Sequence, residues 1–271
     1  MTPSKRWLIT GCSDGLGRSI AEAALAAGHV VIATARDVTT LAHFGRRVTA
    51  LSLDVTVPNQ MVAAVAAAEA AGGIDVLVNN AGHGYLAAVE EGEDDKIRRT
   101  FDVNFFGPAA LTRAVLPGMR ARKSGCVVNI SSVAGFTGGQ GSAYYAASKF
   151  ALEGLSDALA AEAGRLGIRT LVVEPGPIRT SFAGRSILQS PRIADYAETA
   201  GLRQAGILES NGGQAGDPDA IARLIVATVD APRSVTRLIV GELAMRGVAH
   251  KLASVSADLA AMREKSLRTD F

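Results

Sequence analysis

What most constrains this chain is a rhythm. Short β-branched runs alternate with alanine-rich helical stretches, and the first crossover carries a tight glycine turn. Residues 7–10 form an apolar run that stops at Gly11; residues 19–27 follow as an alanine-rich helix closed by Gly28; residues 30–35 are a second β-branched run. Strand, glycine loop, helix, strand is the βαβ unit of a parallel sheet. The pattern recurs, with a third strand over 48–55 and a helix over 61–71, for which Pro58 is an early residue. A fourth strand over 74–79 is apolar throughout, as a strand covered on both faces must be. Residues 93–122 read as a long helical region bent near Gly107-Pro108. A fifth strand over 126–131, a helix over 142–166 and a sixth strand over 170–174 lead to Pro175-Gly176-Pro177.

There the rhythm breaks. Residues 179–216 show no clear strand, several glycines and scattered large apolar residues, which predicts a partly helical lid. Asp217-Pro218 caps another helix, residues 237–240 are a seventh strand, and residues 243–266 a terminal helix of mixed polarity. No linker, repeat or low-complexity block divides the chain. One domain over 1–271 is expected, with its nucleotide-binding part over about 1–175.

The balance of residues narrows the function. Net charge is +2 with no Lys/Arg block, and aromatics are only 5%, too sparse for a base-stacking surface, so no nucleic-acid partner is expected. The N-terminus reads as a strand rather than a signal peptide, and no apolar run is long enough to span a bilayer, so no membrane partner is expected. Cys12 and Cys126 have no CxxC partner and read as small buried residues of a reduced, cytoplasmic protein. Four scattered histidines lack ligand spacing, and no metal is expected.

The glycine turn is G-x-x-x-G-x-G, spanning Gly11, Ser13, Asp14, Gly15, Leu16 and Gly17. Glycines there let a pyrophosphate approach the N-terminus of the following helix, where free N–H groups and the helix dipole favour an anion. The end of the second strand selects the nucleotide: a carboxylate binds ribose hydroxyls, an arginine a 2′-phosphate. The chain has Ala35 and then Arg36, which points to NADP(H) over NAD(H); Asp14 and Asp37 temper that preference. Further along, Tyr145 and Lys149 are four apart, on one helical face. An ammonium beside a phenol favours phenolate, and a tyrosine so tuned can exchange a proton during catalysis.

Several motifs agree. TGxxxGxG spans residues 10–17, NNAG spans 79–82, Asn104 follows Val103, NISS spans 129–132, YxxxK spans 145–149, and Pro175-Gly176 follows the sixth strand. In order and spacing, over nearly the whole chain, they resemble the short-chain dehydrogenase/reductases. WLITGCSDGLG, FDVNFFGPAALTRAVLP, YYAASKFALEGLSDAL and EPGPIRTSF are most similar to the branch with 17β-hydroxysteroid and retinol dehydrogenase-like members and many bacterial oxidoreductases. The resemblance implies a Rossmann fold: a doubly wound, seven-stranded parallel sheet with helices on both faces. It implies Tyr145 as general acid and base, and Lys149 as the residue that binds the nicotinamide ribose and lowers the Tyr145 pKa. Ser132 would hydrogen-bond the substrate oxygen, and Asn104 would hold a water linking Lys149 to solvent. Asp54 and Val55 would contact adenine; Asn80, Ala81 and Gly82 would line the adenosine-side ribose; Pro175, Gly176, Ile178 and Thr180 would close around the nicotinamide. At Asp14 the chain departs from the serine or basic residue frequent in the family.

The substrate would enter between Ser132 and Tyr145 beneath the lid. The candidate wall is His83, Tyr85, Val133, Phe136, Phe182, Leu188 and Tyr196, which favours a hydrophobic ketone, aldehyde or secondary alcohol. Family members pair through the two long helices, implying a homodimer or homotetramer. The competing readings are a dehydratase or epimerase on the same scaffold and a nucleotide-sensing binding protein.

Overall fold

The computed structural model describes residues 3–232 and 235–270. In chain order the elements begin β1 (Arg6–Ile9), α1 (Gly15–Ala26), β2 (Val30–Ala35), β3 (Thr49–Ser52), α2 (Pro58–Ala70), β4 (Val76–Asn79) and β5 (Gly84–Leu86). They continue with α3 (Asp94–Phe101), α4 (Gly107–Arg122), β6 (Gly125–Ile130), α5 (Ala143–Ala163) and β7 (Ile168–Pro175). The chain closes with α6 (Phe182–Arg185), β8 (Ile187–Gln189), α7 (Leu202–Glu209), α8 (Pro218–Asp230), β9 (Arg237–Val240) and α9 (Glu242–Leu267).

Seven strands form one sheet in the order β3-β2-β1-β4-β6-β7-β9, and every neighbouring pair is parallel. Successive strand residues point to opposite faces. Trp7 and Ile9 therefore join Ile20, Ala24 and Ile225 beneath α1 and α8, whereas Leu8 joins Met61, Leu111 and Leu159 beneath α2, α4 and α5. Each fully buried aliphatic side chain contributes about 1.5–3 kcal/mol. After β3 the chain crosses to the other side of β1. The carboxyl ends of β1 and β4 thus flank the switch point where open α/β sheets bind ligands.

The structure departs from the sequence reading in three places. β3 ends at Ser52 rather than at 55, because the Asp54 carboxylate accepts from the Thr56 N–H (2.9 Å) and hydroxyl (2.7 Å) and turns the chain. The irregularity in the long helix is a π turn over Asp102–Phe106, just before the predicted bend. Pro108 has no N–H for the Asn104 carbonyl and its ring crowds that turn; one extra residue relieves both. The lid contains a strand: β8 pairs in parallel with β5, Tyr85 opposite Leu188. Both strands are too short for a period-2 signal to show. The rest of the segment 179–216 is partly helical, with α6, a π turn over Ala197–Gly201 and α7. Among the described residues no helix is long and apolar enough to cross a membrane.

Candidate active site

The glycine loop is fixed from beneath by polar bonds. Thr10 Oγ1 accepts from the N–H groups of Asn80 (2.9 Å) and Ala81 (3.0 Å), and Asn80 Nδ2 donates to the carbonyls of Thr10 (2.8 Å) and Gly11 (3.2 Å). Gly11 and Gly15 adopt φ of 72° and 57°, in the left-handed region. A Cβ on Gly17 would stand 2.3 Å from the Gly11 carbonyl oxygen and 2.4 Å from Asn80 Nδ2. The loop therefore closes tightly on the start of α1, where helix N–H groups suit an anion. Ser13 is exposed beside it, and Leu16 is buried in the core. The Asp14 carboxylate caps Gly15 (2.7 Å) and is reached by the Ser181 hydroxyl and by Arg185 Nη2, both from the lid. The Ser181 bond, with help from Gly15 and Arg185, holds Asp14 below the usual carboxylate range.

Arg36 lies exposed just past β2. Its carbonyl accepts from Ser52 Oγ (3.0 Å); its guanidinium makes no hydrogen bond or ion pair among the described residues. Asp37 is spent on its own turn, accepting from the Thr39 N–H (2.9 Å) and hydroxyl (2.6 Å). Asp54 faces the Arg36 charge; burial opposes its ionisation, but the Thr56 bonds and the nearby arginines hold its carboxyl low. The side chains of two expected coenzyme residues are occupied within the protein. The Val55 side chain is buried in the core, where a Cβ on Gly107 would meet its carbonyl at 2.7 Å, and the Asn80 side chain is committed to the glycine loop. Ala81 packs on the core beneath α4. Pro175 is buried, the Gly176 N–H donates to the Val240 carbonyl (3.0 Å), and Ile178 bridges to Gly216. Thr180 rests on the glycine loop, its Cβ 3.3 Å from where a Cβ on Gly15 would be.

Gly82 joins this loop to the catalytic candidates: a Cβ there would lie 3.1 Å from Asn104 Oδ1 and 3.7 Å from Lys149 Nζ. Lys149 is 5% exposed and donates to the Ile130 carbonyl (2.8 Å), so two of its three N–H groups have no partner among the described residues. Burial pulls its pKa down to about 8, against the opposing charge of Glu153. Its Nζ is 5.9 Å from the centre of the Tyr145 ring. Ser132 Oγ accepts from the Ala134 N–H (3.1 Å) and keeps its own proton to give. Burial pushes the Tyr145 phenol above its ordinary value and the Ser132 hydroxyl offsets part of that. Asn104 lies in the π turn and is fully buried. Its side-chain amide is used up by the His83 N–H (3.0 Å), the His83 carbonyl (2.9 Å) and Ser148 Oγ (3.1 Å). The group on Asn104 that could hold a water is the backbone carbonyl, which Pro108 cannot bond.

The expected substrate wall divides. The Phe182 ring lies 6.2 Å from that of Tyr145, tilted by 57°, and Leu188 lies in β8 opposite Tyr85. Tyr85 is not wall. It is 1% exposed, and its hydroxyl bonds Ser190 Oγ (2.5 Å) and the Glu93 N–H (2.8 Å), so it anchors the lid. Tyr196 turns outward to the Glu90 carboxylate (2.8 Å). His83 contacts Thr100 Oγ1 (3.2 Å), and burial, with the charges of Arg99 and Lys149, pushes its pKa to about 4. Val133 faces Gly247 of α9, and Phe136 lies under the Arg237 guanidinium, 5.7 Å from the ring centre. A cavity of about 350 Å³ at the lid, lined by Glu91, Arg192 and Leu202 among others, includes none of the catalytic candidates. The sequence reading missed Glu153, Glu174 and Arg237, which stand behind Lys149; the one available signal was Glu153, four residues beyond Lys149.

Comparison with known proteins gives the family. The family model for short chain dehydrogenases matches residues 5–189. The chain is 39% identical over 271 residues to the oxidoreductase BOA17 of Botryotinia fuckeliana, covering 97% of this chain and 98% of that protein. It is 39% identical over 196 residues to retinol dehydrogenase 8 of Homo sapiens, covering 67% of this chain and 61% of that protein. A short-chain dehydrogenase from Streptomyces avermitilis superimposes with a TM-score of 0.93 at 42% identity, covering 98% of each chain. With a glycine loop, a buried lysine and a paired serine and tyrosine at the switch point of a seven-stranded sheet, the chain belongs to the short-chain dehydrogenase/reductase family.

Proposed function

We propose that the protein is an NADP(H)-dependent oxidoreductase acting between a hydrophobic ketone or aldehyde and the corresponding alcohol. The observation that carries this reading is the convergence of Ser132, Tyr145 and Lys149 beside a loop suited to a dinucleotide. That loop closes with no room for a Cβ at Gly17, and among the described residues Lys149 is a buried cation with N–H groups to spare and Arg36 a guanidinium without a partner. These residues fit a phosphorylated nicotinamide dinucleotide: Arg36 would take the 2′-phosphate, the α1 N-terminus the pyrophosphate and Lys149 the nicotinamide ribose. When bound, the nicotinamide supplies or accepts the hydride.

In reduction the Tyr145 hydroxyl gives its proton to the carbonyl oxygen, and the Ser132 hydroxyl donates to the same oxygen as charge develops there. A phenol held high by burial is a protonated acid at neutral pH, ready for that transfer. The Lys149 ammonium stabilises the phenolate left behind. In oxidation Tyr145 runs in reverse as base. Phe182 against Tyr145 presents an apolar wall, in keeping with a relative named retinol dehydrogenase 8. The reading includes assembly as a homodimer or homotetramer, supported by Phe106 (57% exposed) and Phe150 (43%), on the two helical regions through which family members pair.

The test is NADPH oxidation across a panel of hydrophobic ketones and aldehydes, with NADH in parallel. Turnover of at least one carbonyl with NADPH is expected. Tight NADPH binding with no oxidation across the panel would sink the redox reading.

A further inference from the structure

Behind Lys149 the charges do not balance. Glu153 follows Lys149 by one turn of α5 and is 5% exposed; Glu174 of β7 is fully buried. Both bond a single cation, Arg237 of β9, which reaches Glu153 Oε2, Glu174 Oε1 (2.8 Å) and both oxygens of the more exposed Asp157 (2.8 and 2.7 Å). Three carboxylates therefore share one guanidinium. On the fourth side is the turn after β6: a Cβ on Gly135 would lie 2.6 Å from Ser131 Oγ and 3.1 Å from Glu153 Oε1. Glu153 Oε1, Glu174 Oε2 and Ser131 Oγ are buried with no hydrogen-bond partner of good geometry. A staple between β9 and α5 needs one ion pair; extra buried carboxylates only add desolvation cost. Lys149, a buried cation, precedes Glu153 by four residues and so lies on the same face of α5.

We propose that Glu153, anchored by Arg237, is a positioning residue whose carboxylate keeps the Lys149 ammonium charged and so sets the upper pH limit of the Tyr145–Lys149 pair. The inference rests on the function proposed above. The groups facing Glu153 are Lys149 and Asp157 on its own helix, Ser131 on the β6 turn, Glu174 on β7 and Arg237 on β9. Burial raises the Glu153 carboxyl to about 7; the Ser131 hydroxyl opposes this, Glu174 adds to it and Arg237 opposes it. Above neutrality Glu153 is thus ionised, and its negative charge raises the Lys149 pKa that burial lowers. Removing that charge lets Lys149 lose its proton at lower pH.

The experiment compares wild type, Glu153→Gln, Glu153→Asp and Asp157→Asn. Two readouts are taken on the full chain: NMR titration of the Lys149 side chain with ¹³C-labelled lysine, assigned through Lys149→Arg, and the pH profile of NADPH-dependent turnover. In Glu153→Gln both the lysine titration and the alkaline limb should move down by on the order of one pH unit. Glu153→Asp, which keeps the charge, should restore most of the wild-type titration, and Asp157→Asn, on the same guanidinium but further from Lys149, should leave it in place. Glutamine resembles the protonated form present below pH 7, so the variant should fold; the aspartate variant carries the test if it does not. A Glu153→Gln protein with a lowered Tm but unchanged titration and limb would overturn the proposal, as would an aspartate variant that titrates unlike wild type. Failure of wild type to turn over any substrate would count against the proposed function, and the lysine titration would still decide the role of Glu153.

Discussion

Arg36 is an exposed guanidinium whose acidic neighbour is already occupied. Asp37 looked in the sequence like a competitor for a ribose hydroxyl; its carboxylate instead caps Thr39. Arg36→Ala should therefore raise the Michaelis constant for NADPH about ten- to a hundredfold, the loss of one charge-assisted contact, and leave that for NADH nearly unchanged. Equal effects on the two would refute the assignment. Gly17 sets the other half of the coenzyme site. A Cβ there meets backbone at 2.3 Å, so Gly17→Ala should cost about 1–3 kcal/mol in thermal unfolding and weaken NADPH binding. Unchanged melting and affinity would mean that the loop can relax. The glycines, the serine and the YxxxK spacing were readable as a set, through their order and spacing along the chain. Side-chain commitments were not: nothing in the string NNAG says that the Asn80 amide turns to the glycine loop, or that the Asn104 amide is spent on His83.

At the scale of elements, a parallel sheet followed from the alternation of apolar runs and helices, and the departures lie where length or local chemistry defeats that signal. Pro108 marked a disturbance in the long helix, but proline acts on the turn before it, and the π turn at Asp102–Phe106 is the result. β5 and β8, three residues each, carry no periodicity. Their pairing is fixed by side chains: the Tyr85 hydroxyl with Ser190 and the Glu93 N–H, and the Glu91 carboxylate with the N–H groups of Ala88 (2.7 Å) and Ile193 (2.9 Å). Tyr85→Phe leaves those partners unmatched, costing about 1–3 kcal/mol locally. The substrate Michaelis constant should rise while NADPH affinity stays at the wild-type value. A fall in NADPH affinity with an unchanged substrate constant would show that Tyr85 supports the coenzyme site instead of the lid.

Over the whole molecule, the first and last thirds of the chain are tied together well away from the site. Asp230, at the end of α8, bonds Lys5 just before β1 and His29 just before β2 (3.0 Å). Burial opposes its ionisation, but the Lys5 and His29 bonds prevail and hold the carboxyl below its ordinary value. A depressed carboxylate stabilises the fold above its unfolded pKa of about 4, and that stabilisation is lost as pH falls through the lower folded value. Asp230→Asn should thus cost about 1 kcal/mol at pH 7 and nothing in strong acid, read as the difference in Tm between the two proteins across pH. A difference independent of pH would mean packing, not charge. This frame places the ends of β1, β4, β6 and β7 and one face of α5 around a single point. The central claim is that Tyr145 is the proton donor there. The most direct measurement is Tyr145→Phe, assayed for NADPH affinity and for carbonyl reduction in the same preparation. Affinity within a few-fold of wild type with turnover reduced at least about a hundredfold is the expected result; turnover retained at the wild-type rate would contradict it.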